Sequence, residues 1–424
     1  MRYVPRVIDR QLSDLLAQLP GVAIEGAKGV GKTRSAERLA ASVFPLADRS
    51  VAENVAGGPT IVRDSPAPVL LDEWQRTPSI WDDVRRWIDH DPAPGRFLLT
   101  GSAAPRGTSL HSGAGRIVPL RMRPLSLAER LPPSQPIRLE DFLAGRVQSA
   151  VGASDVGLAD YVDELLASGF PGLRPLGEPG RTKALRGYVD VLATREFPDQ
   201  GLLVRKPRTL LAWMRAYALA TASTSSYTKI LNLAASDQGD KPARATTLAY
   251  RDVLESLWLV DPVPAWAPLF SGLTTPLVKA PKHFLADPAL AIVLLRLTRD
   301  SLIAGPQPQP LGPQAGSLLG RLFESLVALS LQTYAQACES ELSHLRTANG
   351  AHEVDFIVER GPELVAIEVK MAPSVTGRDL RHLNWLGESL PSRRLVKVCL
   401  TTGSVAYTRQ ADGVHIVPAA MLTP

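Results

Sequence analysis

Eight residues, Gly26-Ala27-Lys28-Gly29-Val30-Gly31-Lys32-Thr33, carry the densest chemistry in the chain: glycines that let backbone N–H groups approach an anion, then a cation and a hydroxyl. This is the Walker A pattern. Residues 22–25 read as a buried strand before it and residues 33–40 as a helix after it. Loop amides would then face a β-phosphate, Lys32 would bridge β- and γ-phosphates, and the Thr33 hydroxyl would hold Mg²⁺. Arg34 follows the loop and is expected to tune the candidate cradle rather than abolish it. A glycine turn capping a helix is the competing reading, and a second motif weighs against it. Val69-Leu70-Leu71-Asp72-Glu73 is an apolar run ending in two acids. Such a strand delivers Asp72 to the Mg²⁺ shell and sets Glu73 to polarise water as a general base. Residues 97–102 form another strand, which in a parallel sheet puts Thr100 and Ser102 at the ligand end; strand capping competes there. Arg116, in Gly113-Ala114-Gly115-Arg116-Ile117, is a candidate arginine finger, in cis or from a second copy in a homo-oligomer, against a plain surface arginine. No Asn-Lys-x-Asp guanine-reading motif occurs, so ATP is the expected nucleotide.

A second constellation lies near residue 360. Two alternating strands, 353–359 and 364–370, flank Gly361-Pro362. Pairing positions whose numbers sum to 723 sets Val354 against Val369, Phe356 against Ile367 and Val358 against Val365, an apolar face that a one-residue slip would scramble. The other face then opposes Asp355 to Glu368 and Glu353 to Lys370. Two opposed carboxylates sit about 5 Å apart and repel unless a cation or proton lies between them. A divalent metal on Asp355 and Glu368 is the expected neutraliser, with exposed edge charges as the bland alternative. A helix expected over 317–338 carries Glu324 among apolar residues.

The elements that must position these groups fall into three parts. Residues 1–195 read as a nucleotide-binding domain with a Pro- and Gly-rich lid or linker, 196–304 as a basic helical module, and 305–424 as a small α/β domain beyond the linker 305–313. Residues 205–251 hold eight Lys or Arg against two acids. Helices are expected over 210–221, 227–235 and 246–258, followed by an extended stretch. That order fits a winged helix-turn-helix, with Lys229, Arg244 and Arg251 near phosphates of DNA. Winged folds also serve as protein–protein connectors, and a protein partner is the alternative.

The whole chain sets mild bounds. Its 424 residues carry 47 Lys plus Arg against 42 Asp plus Glu, a net charge of +5 that permits nucleic acid as a partner without requiring it. Two cysteines without metal-ligand spacing suit a reducing, cytoplasmic compartment. No apolar run is long enough for a membrane span.

Gly-x-x-x-x-Gly-Lys-Thr, Leu-Leu-Asp-Glu, Leu-Leu-Thr-Gly-Ser and Gly-Arg followed by Pro124-Leu125-Ser126-Leu127-x-Glu129 resemble the prokaryotic AAA-type ATPases that carry a C-terminal DUF4143 domain. The resemblance implies an ATPase domain over about 1–195 and marks Arg116 as the residue of the family's Gly-Arg motif. It extends to Gly320-x-x-Phe323-Glu324, Arg346, Glu353-Val354-Asp355-Phe356 and Ile367-Glu368-Val369-Lys370. Asp355 followed thirteen residues later by Glu-x-Lys also resembles the PD-(D/E)xK nucleases. That likeness implies Mg²⁺ or Mn²⁺, a second divalent metal, on Asp355 and Glu368, with Glu324 orienting and Lys370 stabilising the attacked phosphate. The expected fold is α/β: a P-loop AAA-type domain, a winged-helix-like module and a small restriction-endonuclease-like domain.

Overall fold

The structure, a computed structural model, describes residues 3–102, 115–202, 204, 206–236, 244–267, 277–303 and 317–424. The linker 305–313 and Gly113-Ala114 of the Gly-Arg motif lie outside the described residues.

The N-terminal sheet is all parallel. Its strands β1 (Gly21–Glu25), β2 (Ser42–Pro45), β3 (Val69–Asp72), β4 (Phe97–Gly101) and β5 (Ile117–Arg121) run in the order β2-β3-β4-β1-β5. Alternate side chains enter two different cores: Val22, Ile24, Leu70 and Leu98 on one face, Ala23, Val69, Leu71 and Leu99 on the other. Covering both faces is what parallel strands need, and it explains why they read as continuous apolar runs. The β1 to α2 (Lys32–Glu37) connection is the phosphate loop, at the carboxyl edge of the central strands. The weakly patterned stretch before Pro68 holds β2, whose half-exposed residues suit an edge strand.

Residues 137–168, grouped by sequence with the nucleotide-binding domain, are stitched into the C-terminal part. Strand β6 (Ile137–Arg138) pairs in parallel with β14 (Leu422–Thr423), and β7 (Gly152–Ala153) is the edge of a seven-stranded mixed sheet. Its remaining strands are β8 (Glu341–Arg346), β9 (Glu353–Arg360), β10 (Glu363–Lys370), β11 (Arg394–Thr401), β12 (Val405–Thr408) and β13 (His415–Pro418), in the order β7-β12-β13-β11-β10-β9-β8. The helix Leu318–Ala337 shares a core with one face, through Phe356, Val358, Val365 and Ile367. The helix Arg381–Ser389 covers the other, against Ile357, Leu364 and Ala366. Tyr161, before the sheet in sequence, packs edge-on to Phe323 and accepts a hydrogen bond from Ala420 N at 2.8 Å.

The hairpin keeps its expected register from Glu363–Arg360 to Ile367–Phe356, with Gly361 at φ +59° in the turn. Beyond Phe356 the expectation fails. The β8–β9 register shifts between Ser343 and Leu345, and Val354 enters the core of Ile357 rather than that of Phe356. A bulge of this kind re-aims side chains. Asp355 and Glu368 are therefore no ladder pair; Asp355 Oδ2 instead accepts from Val369 N at 2.9 Å.

The middle segment holds helices Pro207–Leu219, Tyr227–Ser236 and Arg244–Ser256. The chain after them is extended and forms antiparallel bridges, Val260 with Leu285 and Val263 with Lys282. This strap also borders the C-terminal sheet through Ala265–His344 and Leu277–Thr347.

Candidate functional site

In the phosphate loop Gly26, Gly29 and Gly31 all adopt positive φ. At Gly26 the reason is also spatial, since a Cβ there would lie 2.1 Å from the carbonyl oxygen of Met122 at the end of β5. Lys32 is 5% exposed, and its Nζ donates to the Gly26 and Ala27 carbonyls at 2.8 and 3.1 Å. Burial pulls its pKa down to about 8, against the opposing pull of Glu73 and Asp72. A phosphate offers this ammonium anionic acceptors in place of neutral carbonyls, the stronger pairing.

Asp72 Oδ1 accepts hydrogen bonds from Thr33 Oγ1 at 2.6 Å and from Thr100 Oγ1 at 2.5 Å. The three residues, from β3, β4 and the first turn of α2, thus converge on one point. Glu73 sits at φ +57°, an uncommon conformation for a non-glycine residue, and its carboxylate accepts from Gln75 Nε2 at 2.5 Å. Gly101 cannot carry a side chain, because a Cβ would lie 2.8 Å from Trp74 Nε1. Ser102 Oγ is buried and has no partner among the described residues; it borders a cavity of about 350 Å³ beside Lys28 and Gly29. Lys28 pairs with Glu196 at 3.0 Å. On the other side of the loop, Tyr3, Val4, Gly31, Arg34, Ser35 and Pro171 line a mostly apolar cavity of about 390 Å³, a size and polarity suited to a base. The residues fit an ATP–Mg²⁺ complex on these grounds. Thr33 and Asp72 would hold the metal, whose charge offsets that of the phosphate oxygens when bound.

Arg116 lies at the start of β5, where Ile117 is level with Gly21, while the phosphate loop follows Glu25, level with Arg121. Four strand steps of about 3.3 Å separate these levels, roughly 13 Å, so Arg116 does not reach the loop of its own chain. It pairs instead with Asp89 at 2.5 Å.

Two groups that hold this site were given no role from the sequence, although Glu129 was quoted in a motif. Arg6 Nη1 donates to Val30 O at 2.8 Å and Arg6 Nε to Glu129 Oε1 at 2.8 Å. Glu129 also accepts from Ser126 N at 2.6 Å and Ser126 Oγ at 2.8 Å, so the Pro124–Glu129 motif is a capped turn that clamps the phosphate loop. At the end of β5 and just past it, Arg121 and Arg123 pair with buried Asp261 at 2.9 and 2.7 Å, and Arg123 also donates to Gln332 on the helix Leu318–Ala337.

The second site is a polar cavity of about 620 Å³. It gathers Glu324, Asp355, Glu368 and Lys370, all four expected residues, with Lys229, Arg321, Arg346 and Arg381 around them. Behind the lining carboxylates lies a buried lysine. Lys282, 1% exposed, places Nζ 2.6 Å from Glu324 Oε1, 2.9 Å from Asp355 Oδ1 and 3.5 Å from Glu353 Oε1. Burial works against its charge, but Asp355, Glu324 and Glu353 overcome this and hold its pKa well above that of a free lysine. Burial raises the Glu324 carboxyl to about 8, and burial with the Asp355 charge also raises Glu368. Lys370 pairs with Glu368 Oε1 at 2.6 Å. Lys282 thus stands beside Asp355, one of the two residues expected to hold a metal, and among the described residues no three Asp, Glu, His or Cys side chains are grouped to hold one. A lone lysine in Ala280-Pro281-Lys282-His283-Phe284-Leu285 was the available signal.

Of the three expected phosphate-contacting cations, Lys229 is exposed and lines this cavity. Arg251 is engaged by Asp252 at 2.7 Å and Glu255 at 3.6 Å. The Arg244 side chain lies outside the described residues. No described helix is long and apolar enough to cross a membrane.

Fold and phosphate loop define a P-loop ATPase domain of the AAA type. Residues 19–131 match the AAA domain family, 319–422 the domain of unknown function DUF4143, and 158–301 a further domain of unknown function, DUF8612. Among curated proteins, an uncharacterized protein of Mycobacterium bovis and one of Mycobacterium tuberculosis are each 24% identical over 380 residues, 86% of this chain and 74% of theirs. Among solved structures, a Walker-type ATPase of Pyrococcus abyssi aligns with a TM-score of 0.38 at 15% identity, over 68% of this chain and 94% of that one.

Proposed function

We propose that the protein hydrolyses ATP and that its nucleotide state controls the holding of nucleic acid, in the first instance DNA, in the C-terminal cavity. The observation that carries this reading is the set of cations Lys229, Arg321, Arg346, Lys370 and Arg381 on one cavity. Lys229 comes from the second helix of the middle segment, whose three helices and extended strap follow the order of a winged helix. Module and C-terminal domain thus share one cavity whose cations, interleaved with Glu324, Glu353, Asp355, Glu368 and Asp379, offer donors to phosphodiester oxygens. The Arg121–Asp261–Arg123 contacts supply a route from the phosphate loop to that surface. Recognition rather than cleavage is the role this site supports, because Lys282 already balances the carboxylates that a nuclease would use for metal.

Anisotropy of a labelled duplex tests the proposal, titrated at several salt concentrations with and without a slowly hydrolysed ATP analogue. One phosphate contact for each of these five cations gives a slope of log affinity against log salt of about −4.5. The analogue should change the affinity. An absence of DNA affinity, together with nucleotide-dependent capture of a protein partner, would replace this reading with a protein-binding switch.

A further inference from the structure

We infer that Lys282 is the resident cation of the C-terminal cavity, that it excludes divalent metals from Glu324, Asp355 and Glu368, and that removing it turns these carboxylates into a metal site. The inference rests on the binding reading above and sharpens it: the cavity would recognise an anion with a fixed internal charge and no metal.

The argument starts from oxygen atoms. Asp355 Oδ1 faces Lys282 Nζ, and Asp355 Oδ2 is taken by Val369 N. Glu368 Oε1 is taken by Lys370, and Glu324 Oε1 faces Lys282. Glu368 Oε2 is buried without a hydrogen-bond partner among the described residues, and Glu324 Oε1 is held by the 2.6 Å ion pair with Lys282 rather than by a hydrogen bond. A divalent ion needs several such oxygens at about 2.0–2.6 Å, and would have to share their centre with an ammonium already lying within 3 Å of two of them. An ammonium has three N–H donors, and three carboxylates surround this one.

The lysine is also delivered by rigid backbone. Lys282 N donates to Val263 O and Val263 N to Lys282 O, both at 2.9 Å. Two residues before Val263, Asp261 is held by Arg121 and Arg123. The ammonium is therefore built into the strap rather than carried on a loose tip, and its Nζ lies over the Phe356 ring, 5.5 Å from the centroid.

The test is Mn²⁺ binding to the full-length, nucleotide-free protein, read as loss of the free-ion electron paramagnetic resonance signal and as a shift in thermal unfolding. Wild type, Lys282→Met, and each combined with Asp355→Asn are compared, so that ions at the phosphate loop cancel. Wild type should show no Asp355-dependent Mn²⁺ binding. Lys282→Met should bind one Asp355-dependent ion and unfold several degrees higher with Mn²⁺ than with a chelator. Asp355-dependent binding by wild type overturns the inference, as does a folded Lys282→Met that binds none. If Lys282→Met does not fold in chelator, recovery of its folding by Mn²⁺ supports the inference, and without recovery the wild-type result decides. Neither arm uses nucleic acid, so failure of the DNA reading is seen separately.

Discussion

Arg6 and Glu129, 123 residues apart in the chain, meet as a buried ion pair at 2.8 Å. The same guanidinium donates to the carbonyls of Val30 and Arg123, so one side chain ties the phosphate loop to the segment that follows β5. Glu129→Ala leaves Arg6 buried without its charge partner, and should cost about 3–5 kcal/mol. Urea unfolding checks the value, and ATP affinity should fall with it. A loss below 1 kcal/mol would show that water replaces the carboxylate.

Lys32 yields a pH dependence. Its ammonium titrates near pH 8 in the nucleotide-free protein, because burial disfavours the charged form. Polyphosphate binding favours that form, so ATP binding should take up a proton above pH 8, and affinity should fall by up to about tenfold per pH unit there. Below pH 8 this dependence should flatten. Calorimetry in buffers of different ionisation enthalpy measures the uptake; equal heats in all buffers at pH 9 would reject it. Lys32→Ala should abolish nucleotide binding or turnover, read by phosphate release.

Arg116 can serve only another chain's phosphate loop, since its own is about 13 Å away along the strand. Turnover per chain should rise with protein concentration in wild type. Arg116→Ala should bind ATP normally and lose that rise, with up to about 10³-fold or more slower hydrolysis when assembled. Concentration-independent rates equal in both proteins would return Arg116 to a surface arginine beside Asp89.

Asp261 should matter at neutral pH and not in acid. Burial raises its carboxyl, but Arg121 and Arg123 outweigh burial and hold it below the ordinary carboxylate range. A depressed carboxyl stabilises the fold above its unfolded-chain pKa of about 3.9, and that stabilisation is lost as pH falls through the folded value. Asp261→Asn should therefore cost about 3–5 kcal/mol at pH 7, with a smaller gap from wild type at pH 3. Denaturant unfolding at both pH values measures the gap, and a gap independent of pH would refute the assignment.

The sequence made the strands β1, β3 and β4 and the hairpin register readable, because strands buried on both faces show as apolar runs and a two-residue turn fixes parity. It did not make β2 readable, since an edge strand buries only half its residues. The bulge at Asp355 was invisible for another reason: one extra residue changes which side chains share a face without changing composition. Glu324, Asp355, Glu368 and Lys370 were gathered as expected, but their neutraliser came from Lys282, more than forty residues before Glu324, through strap pairing that no local pattern announces. Arg251 was legible as a cation and not as one already spent on Asp252 and Glu255.

The stitching of β6 to β14 and of β7 to the edge of the large sheet bears on how such chains recombine. A junction placed in the 305–313 segment would look clean in sequence, yet it would strand two short edge pieces in one product and strip their partners in the other. Halves exchanged between relatives at that point would inherit mismatched borders, so the chain should be inherited and expressed as one indivisible unit.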